Sequence, residues 1–209
     1  MSGIRSGLAA LVGVFLCSTS LPAQQQIQLP LALDGACPVA ALEIARENPD
    51  AAPEEVFATA GAVEFTVVYD NLVFRFANWD NMQKFLANPA RYTPALGGFC
   101  VTCLKESNTW VLSKRNLFVF HDGRFYLFPN ADKQKLFESD PDVWTGVDLA
   151  NNGRCRVTEM DDGQSVAGDP AVSEVFGKRV YRFRDEAARE AFRRDPSRYR
   201  IRESSGNLP

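Results

Sequence analysis

The chain has 209 residues, 45% of them hydrophobic and 23% charged, a globular composition that suits one ordinary domain or several small ones. Its formal charge of −3 and pI near 5.3 exclude a general binder of phosphate backbones or anionic membrane surfaces, which are held by clustered Lys and Arg. The one basic run, Arg179 to Arg202, is interrupted by Asp185, Glu186, Glu190 and Asp195 and reads as a solvated helix face, so no nucleic-acid partner is expected.

In chain order the first element is an N-terminal leader. Arg5 supplies a positive start, Gly7 to Cys17 an apolar stretch, and Ser20-Leu21-Pro22-Ala23 a cleavage site, which together read as a secretory signal peptide over residues 1–23. The apolar run is about half the roughly 20 residues that cross a bilayer. Pro22 and Gln24 to Gln26 end it, and no later segment comes closer, so the mature chain is expected to have no transmembrane span. Cys17 follows a bulky Leu16, which disfavours lipidation. Removing the leader leaves 22 basic and 26 acidic residues, and the expectation is an exported protein, periplasmic or in the cell envelope, with secretion as a further destination.

The mature part repeats itself three times. Copy one, residues 34–96, opens on Asp34-Gly35-Ala36-Cys37. It continues with the strand-favouring Val67-Val68, the turn Asp70-Asn71, the run Leu72-Val73-Phe74-Arg75-Phe76, then Phe85, Asn88-Pro89 and Tyr92. Copy two, residues 97–150, runs Gly97-Gly98-Phe99-Cys100, Phe118 to Phe120, the turn Asp122-Gly123, Arg124 to Phe128, Phe137, Asp140-Pro141 and Trp144. Copy three, residues 151–203, runs Asn152-Gly153-Arg154-Cys155, the turn Gly177-Lys178, Arg179 to Phe183, Phe192, Asp195-Pro196 and Tyr199. From the last Phe of each aromatic run (76, 128, 183), the next Phe lies 9 residues on, the Pro 13 and the final aromatic 16, without a gap in any copy. Cys100 and Cys155 precede that Phe by 28 residues and Cys37 by 39, so copy one carries an insertion of 11 residues, assigned to Arg46 to Val56.

Each copy predicts a β-hairpin followed by a short helix, giving an α+β fold of three tandem small modules. The alternating aromatics Phe74/Phe76, Tyr126/Phe128 and Tyr181/Phe183 share one sheet face. Asn78, Asn130 and Asp185 stand at helix N-caps, and an apolar stripe such as Met82, Phe85 and Leu86 packs on the hairpin. The Asn/Asp-Pro pair then ends the helix, and the aromatic three residues later folds back.

A Gly/Cys start, a hairpin ending in alternating aromatics, a helix with Phe and an Asn/Asp-Pro-x-x-aromatic close resemble the YHS domain, most fully in Asp34 to Val39 and Phe85 to Pro94. YHS domains are regarded as metal-binding modules. The resemblance therefore implies a soft transition metal, zinc or copper, with Cys37, Cys100, Cys103 and Cys155 as candidate ligands. Metal-linked members carry further cysteines after the aromatic pair, where this chain has Ala77-Asn78, Pro129-Asn130 and Arg184-Asp185. A single thiolate does not hold zinc or copper, so the four sulfurs form a site only if the modules fold around a shared centre.

The residues themselves leave three chemistries open. Four cysteines in an oxidising compartment suit structural bridges or buried thiols; grouped, they suit a metal; and Cys100-Val101-Thr102-Cys103 has the spacing of a thiol redox pair. The flanks of that pair, Gly97-Gly98-Phe99 and Leu104-Lys105-Glu106-Ser107, do not announce a helix start. His121, the only histidine, aligns with Tyr69 and Phe176 and reads as a packing aromatic. No nucleophile elbow, phosphate loop or zinc-protease helix is present in the sequence. The reading is a noncatalytic exported protein that binds a metal or an unidentified protein partner, with a structural module of the envelope and a thiol-redox protein as alternatives.

Overall fold

The computed structural model describes residues 29–201; the expected leader, Cys17 included, lies outside them. Each module opens on a tight left-handed bend. Three successive residues take positive φ in every copy: Leu33, Asp34, Gly35 (50°, 50°, 84°), then Leu96, Gly97, Gly98 (50°, 65°, 95°), then Asn151, Asn152, Gly153 (53°, 54°, 75°). Leucine resists that region by roughly 1–2 kcal/mol per residue, whereas the glycine takes the largest angle without a Cβ clash. The bend is tied down by the strand ahead of it, since Gly61, Ser113 and Gly168 donate their N–H to the carbonyls of Gly35, Gly98 and Gly153.

The bend delivers the cysteine to the N-cap of a helix: α1 (Pro38–Glu47) after Cys37, α5 (Val101–Ser107) after Cys100 and α8 (Arg156–Asp162) after Cys155. In copy one α1 runs longer and is followed by a short α2 (Pro53–Val56), which accounts for the insertion.

The three hairpins follow as separate two-stranded antiparallel sheets: β1 (Ala62–Tyr69) with β2 (Leu72–Phe76), β3 (Lys114–His121) with β4 (Arg124–Phe128), and β5 (Asp169–Phe176) with β6 (Arg179–Phe183). Both central residues of each turn have positive φ, the two-residue geometry that matches the twist of paired strands. All three share one irregularity. Ala62 pairs with Phe76 but Thr66 with Arg75, leaving residues 63–65 unopposed, and the same bulge recurs between Lys114 and Phe118 and between Asp169 and Ser173.

Helices α3 (Trp79–Ala87), α6 (Ala131–Ser139) and α9 (Glu186–Arg194) come next. Asn78, Asn130 and Asp185 cap them as expected, each side-chain oxygen accepting a backbone N–H at 2.9, 3.0 and 2.9 Å. The helices stop at the Asn/Asp-Pro pairs, beyond which lie the single turns α4 (Pro89–Tyr92) and α7 (Pro141–Trp144). The expected stripe on α3 needs one correction. Met82 and Phe85 face the hairpin, but Leu86 is exposed, and the buried polar place on that face belongs to Asn81.

Each helix drives its Phe between the paired aromatics of its own hairpin. Phe85 lies 4.9 and 5.0 Å from Phe74 and Phe76, Phe137 4.6 and 5.4 Å from Tyr126 and Phe128, and Phe192 4.7 and 5.1 Å from Tyr181 and Phe183. Tyr92 and Tyr199 fold back onto Phe85 and Phe192, and the Trp144 indole N–H donates to the Leu136 carbonyl.

The modules also grip one another. Ala41, Leu42, Ala45, Val56 and Phe57 of copy one form a core with Phe125 and Leu127, on the outer face of the second hairpin. The first and third hairpins meet tip to tip: Asp70 accepts the Gly177 and Lys178 N–H groups at 2.7 and 2.8 Å, and the Lys178 ammonium is paired with the same carboxylate. Beside it the Tyr69 hydroxyl donates to Glu174 at 2.8 Å and accepts from the Val175 N–H at 2.9 Å.

Candidate functional site

The cysteines are the natural place to look for chemistry, and the left-handed bend puts one of them at the same point in each module. Cys37, Cys100 and Cys155 are fully buried beneath Phe76, Phe128 and Phe183, in three different cores. Cys103 sits one turn along α5 from Cys100. All four are free thiols.

Each of the three repeated sulfurs has a polar partner at hand. The Asn81 amide donates to Cys37 Sγ at 3.5 Å, and the Thr158 hydroxyl to Cys155 Sγ at 3.1 Å. Cys100 Sγ lies 3.0 Å from the Thr102 hydroxyl and accepts the Cys103 N–H at 3.3 Å. Sulfur thus caps the helix in copy two, taking the place that oxygen fills at the later helices. The Cys100-Cys103 pair therefore does stand at a helix start, contrary to the sequence expectation; the chain enters α5 through the bend, a device without a propensity signature. Asn81, Thr102 and Thr158 were not singled out from sequence. Their signals are a Thr two or three places after the cysteine and the Ala-x-x-Gly-x-Cys phrase that begins at Ala32, Ala95 and Ala150.

Electrostatics run against an activated thiolate. Burial pushes the Cys103 thiol up to about 11, reinforced by its hydrogen bond to Cys100 and the negative charge that Cys100 would carry.

The metal implied by the YHS resemblance requires several sulfur or nitrogen donors around one point. The structure brings Cys100 and Cys103 together but leaves Cys37 and Cys155 in the first and third cores. Among the described residues no three of His, Cys, Asp and Glu are grouped to hold an ion. The four cysteines therefore do not fit a shared tetrahedral centre in this arrangement, because each is enclosed by its own module's aromatics.

His121 stands edge-on to Phe137 at 6.1 Å, as Tyr69 does to Phe85 at 5.6 Å and Phe176 to Phe192 at 5.9 Å. Its role is that of the aligned aromatics. No helix among the described residues is long and apolar enough to cross a membrane. No protein-family model, curated protein or solved structure matches the chain.

Proposed function

We propose that this chain is an exported, noncatalytic protein built from three YHS-like modules, and that it works as a binding scaffold of the cell envelope rather than through thiol or metal chemistry. One observation carries the reading: the same cysteine and the same three aromatics are spent in every module on a closed core. Residues that would do chemistry in an open site are here the means by which modules of roughly 50 residues become stable enough to fold. The leader pattern of residues 1–23 supports export.

The redox reading has one feature on its side, the N–H of Cys103 directed at Cys100 Sγ. Against it stand the burial of both sulfurs and the high thiol pKa of Cys103.

A thiol count beside elemental analysis, on protein taken from the exported fraction, tests the proposal. We expect four thiols that react slowly in the native protein and promptly once it is denatured, with no stoichiometric zinc or copper. About one equivalent of either metal, lost on Cys100→Ser, would overturn the scaffold reading in favour of metal binding. A native Cys100-Cys103 pair that cycles with a dithiol reductant would overturn it in favour of redox chemistry.

A further inference from the structure

At the junction of the three modules lies an open cavity of about 370 Å³ whose wall is rich in arginine. Module one contributes Arg46, from the end of α1, and Arg91, from α4; module two contributes Asp122 and Arg124, at the tip of its hairpin; module three contributes Ser173 and Arg182, from β5 and β6. The volume falls within the range of small-molecule pockets.

The charges around it do not cancel. Arg124 is committed, its guanidinium 2.6 Å from Asp148, a fully buried carboxylate. Arg46, Arg91 and Arg182 then face a single carboxylate, Asp122. Among the described residues neither Arg46 nor Arg182 has an ion pair or a side-chain hydrogen bond, and Arg91 has only the ring of Tyr92, 5.7 Å away. Arg46 reaches across the tip of the second hairpin, where a Cβ on Gly123 would lie 3.3 Å from its Nη2. Ser173 adds a polar group of another kind. It is only 4% exposed, it lines the cavity, and its hydroxyl has no partner among the described residues.

Three guanidinium groups from two modules, set against one carboxylate in a protein that is acidic as a whole, give this junction a local positive charge that suits an anion. The guanidinium fork matches the paired oxygens of phosphate and carboxylate. We propose that this junction binds a small oxyanion carrying two or more charges, gripped by Arg46, Arg91 and Arg182 and hydrogen-bonded by Ser173. The site belongs to no single module, so it is independent of the family to which the modules belong.

Calorimetric titration of the mature chain with pyrophosphate, and separately with citrate, at low salt tests this. We expect submillimolar binding of at least one of them, phosphate or carboxylate being distinguished by which binds, and weakening with added salt. Arg46→Gln and Arg182→Gln should each weaken binding about ten-fold or more, the loss of one charge-assisted hydrogen bond, while Arg198→Gln, outside the cavity, should leave it unchanged. Arg46 is exposed, so its variant keeps the test valid if Arg182→Gln does not fold. Absence of binding by both anions, or equal binding by wild type and the Arg46 variant, would overturn the proposal.

Discussion

Cys103 shows how burial, rather than neighbouring charge, decides what a thiol can do. Its N–H serves a helix cap and its side chain lies in the core, so the neutral form is the one the fold accommodates. A thiol at 9.0 in the unfolded chain and about 11 in the folded one binds its proton more tightly in the native state. The stability this contributes is complete below about pH 9 and is lost as pH rises towards about 11. Tyr126, raised by burial to about 12, extends the same trend to higher pH. We predict that urea midpoints fall between those pH values and that Cys103→Ala flattens the fall; an identical slope in the variant would show that other groups carry it.

The elements differ in what covers them, although their backbones repeat. In the second strands of hairpins one and three the aromatics alternate with Val73 and Arg75 or with Val180 and Arg182, whereas β4 reads Phe125, Tyr126, Leu127, Phe128 and is apolar on both faces. The insertion in copy one answers that difference. Phe57, just beyond α2, sits 5.3 Å from Phe118 and 5.4 Å from Phe125 and seals the outer face of the second hairpin. Phe57→Ala should therefore cost about 3–5 kcal/mol in chemical denaturation, the usual loss for a buried aromatic. Val68→Ala, on the exposed side of the first hairpin, should change stability by less than about 0.5 kcal/mol.

At the scale of the whole molecule, cohesion rests on polar contacts between hairpin tips as well as on apolar surface. Asp70 and Lys178 are almost completely buried, and the carboxylate also satisfies two backbone N–H groups of the third turn. Nearby, burial and then the Glu174 carboxylate push the Tyr69 phenol far above its ordinary range, so this hydroxyl stays a donor at every physiological pH. Removing one member of a buried pair strands the other. Asp70→Ala should destabilise the protein by about 3–5 kcal/mol, while Asp70→Ala with Lys178→Met should recover part of the loss. A double-mutant cycle without coupling would show that the two tips are held by other contacts.

Much of the module was legible beforehand because its signals are local. Turn pairs that tolerate positive φ, alternating aromatics, Asn or Asp at the cap and Asn/Asp-Pro at the stop each act within a few residues, and three copies in one register reinforce them. The bend before each cysteine was not legible, because Leu33 and Leu96 are poor residues for left-handed backbone and are held there by pairing with a distant strand. Nor was the exposure of Leu86, which neighbours Phe85 in the apolar pattern of α3 but does not join it in the core. The arginine-lined junction lies furthest from the sequence: Arg46, Arg91 and Arg182 are ordinary surface residues in a net acidic chain until three modules pack. What neighbours can settle, the chain encodes in single residues; what separated modules must settle together, their packing alone decides.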